Sequence, residues 1–304
     1  MSWLADWNAF WFTPQTTRIL SLYRIGLGVV VLVSIAWRLP FIDVFYSDAG
    51  LISFETVRQA RGFTPPSLLM FGSEPLMVQV CFAFFALAAL CFTAGFAIRC
   101  SSIALFVLGA SFHVRNALVH NSGDAAIVAM LFLFMFAPAD QVYSVDRWLR
   151  QRRSAEPLPE PHVAAWVQRA MQCQIALLWL MAGFHKAHGT LWYSGTAMYY
   201  VFGQVGFAAA GVETLMNYPL IYTTLTFATV FTELAIPFLL WFRASRRYAV
   251  AMVLGIQLWI LCFMTLPVFP LFTIVTTVLF YDEDQLRWPA WLRVPRGRAV
   301  AARC

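Results

Sequence analysis

Charge is what this sequence has least of. Asp, Glu, Lys and Arg make up 12% of its 304 residues and hydrophobic residues 61%, where a soluble domain carries about 25% charged residues. That scarcity excludes an ordinary soluble fold. The apolar runs are continuous rather than alternating, which excludes a β-barrel and leaves helices as the way to satisfy the backbone in lipid. Cysteines number six, at 81, 91, 100, 173, 262 and 304. None forms a C-x-x-C, and Cys81 and Cys91 are expected on different faces of one helix. A disulfide scaffold, a zinc finger and thiol redox chemistry are therefore excluded. No internal repeat is visible, which counts against a transporter built from inverted halves. The first 18 residues lack the charge, apolar-core and cleavage pattern of a signal peptide. They are expected instead to form a tryptophan-rich interfacial segment over about 1–17.

What charge there is has a position. The net charge is +6, and the arginines cluster in "SVDRWLRQRR" (144–153), "FRASRR" (242–247) and "LRVPRGRAVAARC" (292–304). These are short segments beside apolar runs, the positive-inside pattern, and not a nucleic-acid surface. Eight spans follow, at 19–38, 76–98, 101–118, 124–141, 165–186, 218–242, 248–265 and 270–281. The count of eight puts all three basic clusters on the cytoplasmic side; seven would split them. The expected fold is an all-α polytopic membrane protein, a bundle of about eight transmembrane helices in the cell (plasma or inner) membrane with both termini cytoplasmic. Residues 1–285 form the transmembrane domain and 286–304 a basic cytoplasmic tail. The opposite face receives the long outer segments 40–75, 120–124 and 187–218, expected to be interfacial or re-entrant.

Ionisable groups inside a bundle are costly and need a partner or a task. At about 1.5 Å per residue, Arg24 and Glu233 both fall in the cytoplasmic half, and the depths predict a buried Arg24–Glu233 ion pair backed by glutamines. A second layer lies on the outer side. His113, Asn116 and His120 share one helical stripe, with Arg115, Asn121 and Asp124 beside them and Asp48 in the preceding outer segment. "MAGFHKAHGTLWYSGTAMYY" (181–200) then places His185, Lys186 and His188 where a span ends, followed by Trp192 and Tyr193. One membrane face thus gathers general bases, anion binders and a carboxylate. Plainer readings stand beside this one. Lys186 suits a snorkelling anchor, Trp192 an aromatic belt and Asp124 a helix N-cap. Histidines and a carboxylate also suit zinc or iron, but the spacing matches no ligand motif, so no metal is expected.

Several stretches together carry a resemblance. "LSLYRIGLGVVVL" (20–32), "FYSDAGLIS" (45–53), "RNALVHNSGD" (115–124), "LMAGFHKAHGTLWYSGTAMYYVF" (180–202) and "TELAIPFLLWF" (232–242) resemble the horizontally transferred transmembrane (HTTM) domain. That domain is found in bacterial membrane proteins and in the membrane part of vitamin-K-dependent γ-glutamyl carboxylase. The resemblance implies that Lys186 falls on the carboxylase's catalytic base, which deprotonates a reduced quinone on the lumenal side. The resulting strong base takes a proton from a glutamate side chain, and the carbanion captures carbon dioxide. A lysine suits the task because burial disfavours its charged form. His120 and Asp124 both stand near the position of the carboxylase's supporting histidine.

The chain is expected to lack the carboxylase's large lumenal domain, and its compact form is closer to family members that mature a secreted peptide. Two functions therefore compete. One is an enzyme with an outward-facing pocket that uses Lys186 on a quinol or a peptide. The other is a non-enzymatic maturation, export or immunity factor for a secreted peptide, in which Lys186 and Asp124 form a structural pair. Transport stands third.

Overall fold

The structure is a computed structural model that describes residues 3–63, 66–159 and 162–285. The basic tail expected at 286–304 lies outside these residues. Helices supply nearly all the regular structure: α1 (Trp3–Phe12), α2 (Arg18–Arg38), α3 (Ile42–Tyr46), α4 (Phe54–Arg61), α5 (Pro75–Ala94), α6 (Ile98–Arg115), α7 (Ser122–Phe134), α8 (Val145–Arg153), α9 (Trp166–His188), α10 (Thr190–Tyr193), α11 (Ala197–Phe202), α12 (Pro219–Trp241), α13 (Arg246–Phe263) and α14 (Val268–Thr276). Two three-residue strands, β1 (Pro14–Thr16) and β2 (His162–Ala164), pair antiparallel.

Each of the eight expected runs forms a helix, at α2, α5, α6, α7, α9, α12, α13 and α14. Among the described residues, five segments are long and apolar enough to cross a membrane: Arg18–Tyr46, Pro75–Ala94, Ile98–Arg115, Pro219–Trp241 and Arg246–Phe263. α7 and the 268–280 segment are apolar but shorter. α9 has 23 residues, yet its glutamines and cationic end dilute its hydropathy and it is not among the five.

The chain divides into two compact units, residues 1–169 with 281 onward, and residues 170–280, so that the boundary falls inside α9. In the first unit α5 packs between α2 and α6, and α6 packs on α7. Gly28 allows the α2–α5 approach, since a Cβ there would lie 2.2 Å from Thr93 Oγ1. The α5–α6 turn is set by Gly95, whose φ of +75° is open to glycine. Cys81 and Cys91 both border one apolar groove between α5 and α6, correcting the expectation that they face apart.

In the second unit α12 and α13 form a helical hairpin, α14 packs on α13, and α11 packs on α12. Segment 189–218, within the stretch expected to be interfacial or re-entrant, packs along α12. α11 is tied to the middle of α12 by the Met198 amide, which donates to Thr226 Oγ1 at 3.1 Å. Gly195 (φ +77°) sits where a Cβ would lie 2.9 Å from Thr223 Cγ2 and 3.1 Å from the Phe227 ring. Met198, Phe202 and Val212 form a small core there, covered by Trp192, Met216 and Trp259.

Candidate functional site

Lys186, in the last turn of α9, is held by a carboxylate. Its Nζ lies 2.6 and 2.7 Å from the two carboxylate oxygens of Glu233, and 5.3 Å from the centre of the Trp192 ring. Glu233 is buried, whereas the lysine side chain is 25% exposed. Two features of the second unit bring them together. Gly183, one turn before Lys186, fits against Leu234, where a Cβ would meet the Leu234 backbone nitrogen at 3.0 Å. The helices therefore cross closely beside the pair. Glu233 also stands far along α12, roughly 21 Å from Pro219 and about 12 Å from Trp241 at about 1.5 Å per residue. The end of α9 thus meets the interior of α12, and α10 and α11 run beside the N-terminal half of α12. An anchoring lysine would extend toward the interface; this one turns to a buried carboxylate.

This geometry corrects two expected pairs. Glu233 does not take Arg24 as its ion partner, because Lys186 occupies both of its oxygens. Arg24 is held in its own unit by main chain, donating Nη1 to the Phe92 carbonyl at 3.1 Å and Nη2 to that of Tyr143. Phe92 O lies in the last turn of α5, where it also accepts from the Gly95 amide at 3.1 Å and where a cation is favourable. The Lys186–Asp124 pair is likewise replaced, since Asp124 is committed to Arg38. His185 and His188 are exposed; His188 contacts the Phe184 carbonyl at 2.9 Å. Tyr193 is 64% exposed and takes no part in the Lys186 contacts.

The first unit gathers a second cluster. Asn121 caps α7 by accepting from the Gly123 and Asp124 amides, and Asp124 Oδ2 accepts from the Asn121 amide at 2.9 Å. The N-cap is thus Asn121 and not Asp124 as expected; Asp124, inside the first turn, is the other half of the capping box. Arg38 Nη2 donates to its two oxygens at 2.8 and 2.9 Å, and Arg38 is itself steadied by Ser34. His120 Nδ1 lies 3.4 Å from Asp124 Oδ2, at ion-pair distance without hydrogen-bond alignment. Its Nε2 is 3.2 Å from the Tyr46 hydroxyl, and the His113 ring lies 5.0 Å away. Arg38, Tyr46, His113, His120 and Asp124 border a cavity of about 40 Å³ with Phe82 and Phe112. That is room for water and too little for an aromatic ring.

Arg115, Asn116 and Asp48 are brought near this cluster but work on the backbone. Arg115 Nη2 donates to Ser47 O at 3.0 Å and Asp48 Oδ1 at 3.1 Å. Asn116 Nδ2 donates to Phe45 O at 2.7 Å. They fasten segment 45–48, and with it Tyr46, over His120.

The comparison with known proteins joins this geometry at one point: the HTTM domain family matches residues 12–285. The chain belongs to the HTTM domain family. Neither a curated protein nor a solved structure matches it. With its five long apolar helices this HTTM protein is an integral membrane protein. Among its described residues no three His, Cys, Asp or Glu side chains converge as they would around a metal ion. Sequence reasoning missed Arg38 and Tyr46. Arg38 sits at the end of the first apolar run, where a cation reads as a membrane-edge residue, and only its contact with Asp124 distinguishes it.

Proposed function

We propose that this HTTM protein is a membrane enzyme in which Lys186 acts as general base on a weakly acidic hydroxyl, that of a reduced quinone, within an outward-facing pocket. The bidentate approach of Lys186 to Glu233 carries the reading. Passing the ammonium proton to the carboxylate turns an ion pair into a neutral amine and a neutral acid, moving no net charge, which suits a site remote from water. The amine is then free to take a substrate proton, with Glu233 as the store for the first one. The partly exposed Nζ and the neighbouring Trp192 face fit an aromatic ring. A bound quinol would supply the reducing equivalents; the residues of the chain bind, orient and move protons. The same reading has the chain crossing the cell membrane eight times with cytoplasmic termini, and takes a secreted peptide as the second substrate.

One observation favours a non-enzymatic alternative. Lys186 saturates both Glu233 oxygens, as a pair that only fixes helix register would. Oxygen uptake separates the two, measured on the purified protein in lipid nanodiscs with a reduced naphthoquinone under air. Turnover above background should fall roughly 10²–10⁴-fold in Lys186→Arg, the loss of a general base, because arginine keeps the charge and cannot release its proton. Glu233→Gln should fall similarly. Wild-type turnover no faster than background, or a fully active Lys186→Arg of normal stability, would overturn the enzyme reading.

A further inference from the structure

Gly255 lies in the interior of α13, where glycine is the least favourable residue after proline. Two other helical glycines have a packing reason: a Cβ at Gly28 would strike Thr93, and one at Gly183 would strike Leu234. At Gly255 a Cβ would meet nothing within 4 Å, and its φ is not in the left-handed region. Neither close approach nor backbone conformation accounts for it. The space in front of it is a half-open groove of about 170 Å³ between α11, α12 and α13, bordered by Met198, Leu225, Thr229, Thr232, Gly255 and Trp259. An apolar cavity of about 150 Å³ takes up benzene, so this groove has the size of a single six-membered ring.

Its polar content is specific. The Thr229 hydroxyl donates to Leu225 O at 2.8 Å and that of Thr232 to Ala228 O at 2.7 Å. Their hydrogens are committed, and only oxygen lone pairs remain to offer a ligand. The walls otherwise comprise an indole, a thioether and aliphatic groups, which suit a ring face. Thr229 stands four residues before Glu233, on the same stripe of α12 and one turn from it.

We infer that the gap at Gly255 is a binding site for a single-ring, phenol-type molecule arriving from the lipid, whose hydroxyl donates to Thr229 or Thr232. The inference rests on the Lys186–Glu233 reading for what the site is for, and on the groove alone for whether it binds. The ring stacks on Trp259, and its hydroxyl end is held one turn from Glu233.

The test is photolabelling of the purified protein in nanodiscs with 4-azidophenol and with azidobenzene, mapped by peptide mass spectrometry. 4-Azidophenol should label the 225–232 and 256–259 segments about fivefold more than azidobenzene, the worth of one hydrogen bond near 1 kcal/mol. Gly255→Leu, which fills the gap, should cut that labelling at least tenfold. The isosteric double variant Thr229→Val/Thr232→Val should erase the preference for the phenol, which covers the case in which Gly255→Leu folds poorly. Equal labelling by the two reagents, or labelling unchanged in Gly255→Leu, would overturn the site. Lys186→Arg should label like wild type. If Lys186→Arg keeps full turnover while labelling behaves as described, the base reading falls and the binding site stands.

Discussion

A buried arginine is held either by a carboxylate or by main-chain carbonyls, and this chain uses both. Arg38 meets Asp124, while Arg24 meets Phe92 O and Tyr143 O. The difference decides what a substitution does. Asp124→Ala strips a buried cation of its partner and also removes the acceptor of the Asn121 amide, one half of the α7 capping box. It should destabilise the protein by about 3–5 kcal/mol, while Arg38→Met with Asp124→Leu should recover most of that, because two apolar groups replace two buried charges. Thermal unfolding in detergent measures both; a double variant no more stable than Asp124→Ala would show that the two side chains are not coupled. The same comparison bears on His120, which the Tyr46 hydroxyl and Asp124 hold from opposite ring nitrogens.

At the scale of the element, α9 is the one that matters. It ends against the interior of α12, and the close crossing at Gly183 sets how near Lys186 comes to Glu233. Gly183→Leu should force the helices apart at a cost of about 1–3 kcal/mol, typical of overpacking, and free the lysine. Acylation of Lys186 by N-hydroxysuccinimidyl acetate, followed by peptide mass spectrometry, should then rise several-fold together with a lower melting temperature. Unchanged reactivity and stability would mean the crossing does not hold the pair. Segment 189–218 depends on Gly195 in a comparable way, since its positive φ and the clash a Cβ would make with Thr223 and Phe227 both disfavour a side chain.

Across the whole molecule, the outcome to measure is sidedness. The described arginine clusters at 144–153 and 242–247 follow apolar helices and should share the cytoplasmic side, leaving α4 and segment 189–218 outside. Ala60 is exposed at the end of α4, and Val205 is fully exposed. In a cysteine-free background, Ala60→Cys and Val205→Cys should react with an impermeant maleimide on intact cells, and a cysteine placed at Arg153 only after permeabilisation. The reverse pattern would invert the topology.

Composition by itself determined the class: continuous apolar runs with 12% charge leave a helical membrane protein, and each run became a helix because lipid forces the backbone to satisfy itself. Spacing also put His113 and His120 on one stripe, where the structure has them with rings 5.0 Å apart, whereas the N-cap expected at Asp124 fell on Asn121, with Asp124 completing a capping box. Partners were another matter. Depth counted along the chain assumes that every helix begins at the membrane edge, and on that assumption Lys186 and Glu233 belong to different layers. Tertiary structure removed the assumption, because α10 and α11 fold back beside α12 and the end of α9 meets its interior. Nor does any sequence pattern reveal that Arg38 reaches Asp124, that Tyr46 is fastened over His120 by Asn116 and Arg115, or that the space beyond Gly255 is empty. Those contacts join positions far apart in the chain, and only the packing of helices against one another decides which charges meet and where a gap remains.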